Sequence, residues 1–279
     1  MKILVTGATG FIGNYVIAEL LKTGNSVLAT SGNIDKAKKY SWFYDVEYIE
    51  CDLNEHKSDW YQFFQQPDLM IHLAWEGLPN YNGLFHCERN LHTTYQLLKN
   101  MIEHGLTDLT VIGTCLEYGM KSGELLEEMP TDPKTSYGLA KDTLRKFLQQ
   151  LQEHYDFNLK WLRLFYMYGI GQNPNSILSQ IDQALANGKN VFNMSGGEQL
   201  RDYCPVETVA KNILKAAFQN KVTGVINCCS GEPVSIRALV ETYLKRKDQK
   251  IELNLGYYPY PDYEPMAFWG SNLKFKKIN

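Results

Sequence analysis

The sequence predicts an α/β fold, a Rossmann-type doubly wound parallel sheet with a smaller C-terminal substrate lobe. Three observations predict it. Apolar runs of strand length alternate with segments of helical period up to Phe165. A glycine-rich turn separates the first apolar run from the first amphipathic segment. Beyond Phe165 the alternation is broken by Gly169, Gly171 and Pro174.

The elements follow in order. Residues 2–6 read as a strand, 11–22 as a helix, 26–30 and 46–50 as strands. DLMIHLA, residues 68–74, is a fourth strand, and a long helix spans about 84–104. Residues 109–113 form a strand, 136–155 a helix and 159–165 a strand. Helices are expected at about 176–187, 207–219 and 236–245, with a strand at 225–229. Residues 1–165 thus form a first domain, onto which 205–229 pack back. Residues 166–204 and 230–279 form the smaller lobe.

A chain of 279 residues buries a large core. A net charge of −3 provides no basic field, which excludes nucleic acid as a partner. No window nears the roughly 20 apolar residues that span a bilayer, so no membrane partner is expected. Six cysteines lack Cys-x-x-Cys spacing, so no metal site is expected, and a reducing cytoplasm fits. Adjacent Cys228 and Cys229 read as small apolar residues of a buried strand.

Gly7, Thr9, Gly10, Phe11, Ile12 and Gly13 make up the turn between strand and helix. Such a turn aims the N–H groups and positive end of the helix at a pyrophosphate, so these residues are candidate dinucleotide contacts. The second strand ends at Ala29-Thr30-Ser31 with no acid before Asp35. An NAD site usually holds the ribose 2′-hydroxyl with Asp or Glu there. Ser31 followed by Lys36, Lys38 and Lys39 suits a 2′-phosphate; the alternative is that these lysines form a solvated helix face. NADP(H) is therefore the preferred cofactor and NAD(H) the alternative. Asp52, after the third strand, is a candidate adenine contact or a helix cap.

Tyr137 and Lys141 stand four apart near the start of a predicted helix and share its face. An ammonium beside a phenol favours the phenolate and lowers its pKa. The tyrosine then exchanges a proton with a hydroxyl while hydride moves to or from nicotinamide. Thr114, at a strand carboxyl end, offers a second hydrogen bond to the same oxygen.

The stretches TGATGFIG, CDL at 51, HLA at 72, Asn90, GTCLEYG from 113, SYGLAK from 136, RLFYMYG from 163 and RDYCPVE from 201 occur in one order. In this the chain resembles the extended short-chain dehydrogenase/reductase family, also called the NAD-dependent epimerase/dehydratase family. The resemblance implies that Tyr137 is the acid/base, that Lys141 tunes it and binds nicotinamide ribose, and that Thr114 orients the substrate oxygen. It implies that Asp52 and Leu53 flank adenine, and that Leu73, Ala74, Trp75 and Asn90 line the cofactor groove. Arg201 would contact the diphosphate of a nucleotide sugar or pair with a nearby acid such as Asp202. Trp75, Tyr81, Tyr166, Asn175 and Trp269 are the other candidate substrate contacts. A homodimer through the helices at 84–104 and 136–155 is also implied.

Three departures narrow the expectation. Thr114-Cys115-Leu116 replaces the Thr-Asp-Glu of 4,6-dehydratases, and Glu117 is displaced by one place, so dehydration is disfavoured. Tyr166 stands where many epimerases carry a diphosphate-binding Asn. In the tail, Tyr263, Phe268 and Trp269 form an aromatic wall for the substrate or a satellite core cluster. HLAWEGLPNY and EPMAFW resemble bacterial reductases that convert dTDP-4-keto-6-deoxyglucose to dTDP-fucose for surface polysaccharides. The expected activity is therefore NADPH-dependent reduction of a C4 ketone. A C4 epimerase that retains NAD is the alternative, and a redox-inert dinucleotide sensor is a third reading.

Overall fold

The computed structural model describes residues 1–260, 262 and 264–278. The first part of the chain runs β1 (Lys2–Thr6), α1 (Phe11–Leu20), β2 (Ser26–Ser31), α2 (Ile34–Ala37), β3 (Glu47–Glu50), α3 (Trp60–Phe63), β4 (Leu69–His72) and α4 (Leu91–Glu103). It continues β5 (Asp108–Thr114), β6 (Gly123–Leu125), α5 (Ser136–Leu151) and β7 (Asn158–Leu164). Then come β8 (Tyr166–Tyr168), α6 (Ile177–Ala186), β9 (Val191–Asn193), β10 (Leu200–Pro205), α7 (Val206–Ala217) and β11 (Gly224–Cys228). The last elements are β12 (Pro233–Ser235), α8 (Ile236–Arg246), β13 (Glu252–Asn254) and β14 (Phe268–Gly270).

Among the described residues a seven-stranded sheet has the order β3-β2-β1-β4-β5-β7-β11, every pair parallel. Parallel strands need covered faces, and alternation in β1 satisfies both. Ile3 and Val5 pack with Val16, Ile17 and Leu20 of α1 and Val209 and Ile213 of α7. Leu4 faces the opposite layer, where Leu97, Leu98 and Met101 of α4 meet Leu144 and Leu148 of α5. A further cluster joins α6, α8 and β9 through Ile181, Phe192 and Val240. Cys228 is buried in β11, and all six cysteines are free thiols.

β1 has β2 on one side and β4 on the other, so the sheet order reverses there. Loops leaving the carboxyl ends of β1 and β4 diverge and leave a crevice, the place where such sheets bind ligands. No helix among the described residues is long and apolar enough to cross a membrane.

Beyond the expected elements the structure adds α2, α3, β6, β8, β9, β10, β12 and β13, and it differs further at a long helix and at the tail. The helix expected at 84–104 is split, with a π-turn at His86–Asn90 ahead of α4. The Asn90 amide in that turn donates to the Glu76 carbonyl at 3.0 Å, tying the turn to the loop that follows β4. The aromatic tail, for which no strand is predicted, contributes β14, which pairs in parallel with β6.

Candidate active site

The glycine turn is held by close backbone approach. Gly7 has φ +69°, and a Cβ there would lie 2.8 Å from the Ala74 nitrogen. At Gly13 a Cβ would fall 2.3 Å from the Gly7 carbonyl oxygen. Only glycine lets α1 start this close to β1 and β4. The turn borders a cavity of about 380 Å³. Gly7, Thr9, Gly10, Ser31, Asp52, Leu53, Leu73, Ala74, Trp75 and Asn90 line it, with Lys36. Phe11, Ile12 and Gly13 stand behind it. Phe11 meets Tyr15 edge-on, and Ile12 packs on the core. The backbone cradle and the lining fit a dinucleotide.

At the end of β2 the Ser31 hydroxyl accepts from Thr9 Oγ1 at 3.0 Å and lies 2.8 Å from the Tyr48 hydroxyl. Lys38 pairs with Asp35 at the surface, so Lys36 is the member of the lysine run that reaches the cavity. Glu50 pairs with Ser31 across β2 and β3 but accepts from the Ile34 N–H at 2.7 Å. Asp52 Oδ1 accepts from the backbone and side-chain nitrogens of Asn54, an Asx-turn that holds the cavity rim.

Tyr137 and Lys141 lie on the buried face of α5, which starts with the Thr135 hydroxyl accepting from the Gly138 N–H. Tyr137 is 7% exposed, Lys141 2% and Thr114 8%. Thr114 hydrogen-bonds the Tyr137 phenol. Lys141 Nζ donates to the Ile112 carbonyl at 2.9 Å and sits 3.9 Å from the centre of the Trp75 indole ring. The three side chains expected to act together are brought together.

Their electrostatics correct the sequence reading in one respect. Burial pushes the Tyr137 phenol well above its ordinary value; nearby Tyr81, Glu117 and Cys115 add to this, and the Thr114 hydrogen bond opposes it. A lowered phenol was expected from the neighbouring ammonium. Instead burial dominates, and the ammonium points at a carbonyl and an aromatic face. Burial also lowers Lys141, to about 7, against the charge of Glu117.

The loop after β4 covers this pair. The Tyr137 N–H donates to the Tyr81 carbonyl at 2.9 Å, and the Tyr81 ring centre is 5.8 Å from that of Tyr137. Trp75 meets Tyr137 edge-on at 6.0 Å, and its indole N–H donates to His86 Nδ1 at 3.0 Å. His86 Nε2 therefore carries the proton and donates to the Asn80 carbonyl at 2.7 Å. Burial lowers the His86 pKa. Sequence reasoning missed His86, whose only signal is its spacing of four from Asn90.

Below the pair lies Glu117, fully buried. Its Oε1 accepts from the Thr114 N–H and from Trp161 Nε1, both at 2.9 Å, and Oε2 accepts from Arg163 Nε at 2.7 Å. Arg145 of α5 approaches within 3.7 Å. The displaced acid of the sequence is thus fully paired in the core.

On the substrate side Arg201 is 1% exposed, and its partner is Glu264 at 3.1 Å, not Asp202. It also donates to the carbonyls of Leu200 and Met266. Asp202 instead accepts from Ser230 and Gly231. Tyr166 donates to the same Glu264, so one carboxylate holds both the Arg201 guanidinium and the Tyr166 phenol. A tail carboxylate thus compensates the buried charge, as in the alternative of a pair with a nearby acid. Phe268 packs on Tyr166 at 6.0 Å and on the Arg201 guanidinium at 4.4 Å. Trp269, next along β14, lies on the opposite face of the strand. Tyr263 lies outside the described residues. Asn175 lines a separate cavity of about 350 Å³ with Phe192 and Tyr258.

Known proteins resemble this chain over most of its length. A dTDP-6-deoxy-L-talose 4-dehydrogenase (NAD(+)) from Aggregatibacter actinomycetemcomitans is 33% identical over 97% of this chain and 100% of its own. A UDP-glucose 4-epimerase from Halalkalibacterium halodurans is 26% identical over 86% of this chain and 79% of its own. UDP-glucuronic acid 4-epimerase from Bacillus cereus, solved with UDP-glucuronic acid and NAD, superposes with a TM-score of 0.84 at 25% identity, covering 100% of this chain and 92% of that one. The sequence profile of the NAD dependent epimerase/dehydratase family matches residues 3–229. With that match spanning the glycine turn, Thr114, Tyr137 and Lys141, the chain belongs to the NAD dependent epimerase/dehydratase family of enzymes.

Proposed function

We propose that the enzyme reduces the C4 ketone of a dTDP-4-keto-6-deoxy sugar, and reversibly oxidises the product alcohol. The observation that carries this is the buried grouping of Tyr137, Lys141 and Thr114, linked to the dinucleotide cavity by Trp75, which lines that cavity and packs against both Tyr137 and Lys141. The full-length relative named for C4 dehydrogenation of a 6-deoxy sugar nucleotide supports the choice of carbon and sugar class. Nicotinamide, when bound, supplies hydride to C4. Tyr137 gives its proton to the C4 oxygen as that oxygen gains charge, and Thr114 holds the same oxygen. A phenol that burial keeps protonated is ready to act as the proton donor of the reductive step. Lys141 supports the phenolate left behind and binds nicotinamide ribose.

NADP(H) is the proposed preference. Lys36 on the cavity rim and a Ser rather than an acid at the end of β2 support it. Lys36→Glu then shifts the preference towards NADH. The lobe of residues 166–204 and 230–279 holds the sugar nucleotide. A homodimer through α4 and α5 is supported by Leu139 and Phe147, which are exposed on α5. A second reading, C4 epimerisation with retained NAD, is favoured by the 4-epimerase among the sequence relatives.

One experiment separates these readings. The purified enzyme is mixed with NADPH or NADH and with dTDP-4-keto-6-deoxyglucose or its L-configured counterpart. Loss of the 340 nm absorbance of reduced nicotinamide is followed and the product is identified by NMR. The reductase turns over reduced cofactor, and Tyr137→Phe slows it by about 10²-fold or more. No consumption with either ketone, together with stoichiometric NAD released on denaturation, sinks this proposal in favour of the epimerase.

A further inference from the structure

We propose that Glu117 is a positioning residue: one buried carboxylate, bound to β5, β7 and the helix of the proton-handling pair, fixes Thr114 in register with Tyr137 and Lys141. The inference rests on the reading of that pair given above.

The geometry carries it. Thr114 ends β5 and opens a one-turn helix, Cys115–Tyr118, whose third residue is Glu117. The Thr114 hydroxyl accepts from the Leu116 N–H, and the Glu117 carboxylate accepts from the Thr114 N–H. This reciprocal cap locks both backbone and hydroxyl of the residue that meets the Tyr137 phenol. From β7, Trp161 and Arg163 donate to the same carboxylate. Gly113 is squeezed beneath it, where a Cβ would fall 2.5 Å from Glu117 Oε1. From α5, Arg145 approaches one turn beyond Lys141, and Lys141 bonds Ile112 of the same strand end. The strand end and the helix thus meet through one acid.

A carboxyl group is not required merely to fill this space. A buried ion pair contributes little net stability compared with apolar residues of similar volume, whereas its fixed charge acts on every titrating neighbour. Those neighbours are known. Arg163 and Arg145 face Glu117 from β7 and α5, and Cys115 and Tyr118 flank it in its own turn. His72 and His86 lie within electrostatic reach of Lys141, and Tyr81 of Tyr137. Among these, Glu117 favours the charged form of Lys141 and disfavours the charged form of Tyr137. Removing its charge therefore lets both groups lose protons at lower pH.

The test uses Glu117→Gln in the full-length enzyme, with folding checked by its thermal midpoint. Lysines are labelled with ¹³C at Cε, and the Lys141 signal is assigned by its loss in Lys141→Met. In Glu117→Gln the Lys141 titration midpoint falls by about one pH unit or more. Both limbs of the kcat profile move to lower pH, and kcat drops on the order of tenfold to a hundredfold with KM little changed. An unmoved Lys141 midpoint in folded Glu117→Gln overturns the inference, whether or not any sugar nucleotide is turned over. A shifted midpoint in an enzyme that reduces no ketone upholds the inference and sinks the reaction proposed above. If Glu117→Gln does not fold, Glu117→Asp keeps the charge but withdraws it. Its Lys141 midpoint then stays near that of the wild type while kcat falls about tenfold, and an unchanged kcat overturns the inference.

Discussion

The ammonium of Lys141 rests against the face of Trp75, 3.9 Å from the ring centre. That indole also lines the dinucleotide cavity and donates its N–H to His86. One aromatic side chain therefore borders both the cofactor crevice and the proton-handling pair. It screens the cation from water while its π-face offsets part of the lost hydration. This is why Lys141 titrates near neutrality and not in the ordinary lysine range.

Binding of NADPH should quench Trp75 emission. The quench should be largely absent in Trp75→Phe, which keeps a ring against Lys141 but has no indole. Titration of both proteins by tryptophan fluorescence, with dissociation constants from calorimetry, checks this. An equal quench in the variant would assign the signal elsewhere.

Lys141→Met should alter how stability depends on pH. The folded value near 7 lies below the ordinary 10.5. Between those values the unfolded chain holds a proton that the fold releases, so this residue makes stability rise with pH across that window. The advantage of Lys141→Met over the wild type is therefore greatest near pH 7. It should shrink by on the order of a few kcal/mol by pH 10.5. Urea unfolding at several pH values measures this, and parallel curves for the two proteins would contradict it.

Gly13→Ala should damage the dinucleotide site through the backbone. The added methyl would sit 2.3 Å from the Gly7 oxygen, and that oxygen belongs to the turn itself. A loss of about 1–3 kcal/mol is expected, together with cofactor affinity at least about tenfold weaker. Thermal denaturation and NADPH titration report the two effects separately.

Arg201 and Glu264 should behave as a buried pair. Removing one partner leaves the other charge uncompensated, so Arg201→Met and Glu264→Gln should each cost about 3–5 kcal/mol. The double variant should recover much of that loss, since neither charge remains. A double-mutant cycle by denaturant unfolding decides, and additive losses would mean that the contact is energetically idle.

The nucleotide half of the fold was legible because its signals are local and repeated. Long apolar runs, helical periods and the Gly7-to-Gly13 turn each carry their own geometry. Tyr137, Lys141 and Thr114 stood at positions that a parallel sheet brings to one crevice. The direction of the Tyr137 shift was not legible, because burial by Trp75, Tyr81 and His86 depends on a loop whose path the sequence does not state. The tail was not legible for another reason. Strands of three residues, such as Gly123–Leu125 and Phe268–Gly270, are too short to show a period. Two adjacent aromatics there gave no sign that Phe268, not Trp269, would face Arg201. The bond from Arg201 to Glu264 joins residues 63 apart, and although Arg201 reads as a diphosphate contact or the partner of a nearby acid, nothing local marks Glu264 as that acid.

The parallel pairing of Phe268–Gly270 with Gly123–Leu125 has a consequence for assembly. Zipping these strands closes a very long loop of chain, an entropic cost met only once the main sheet exists. Until then the Arg201 guanidinium lacks its carboxylate, so the substrate side of the crevice should mature last during refolding. Recovery of near-ultraviolet circular dichroism, governed by the sheet, would then precede recovery of catalytic turnover.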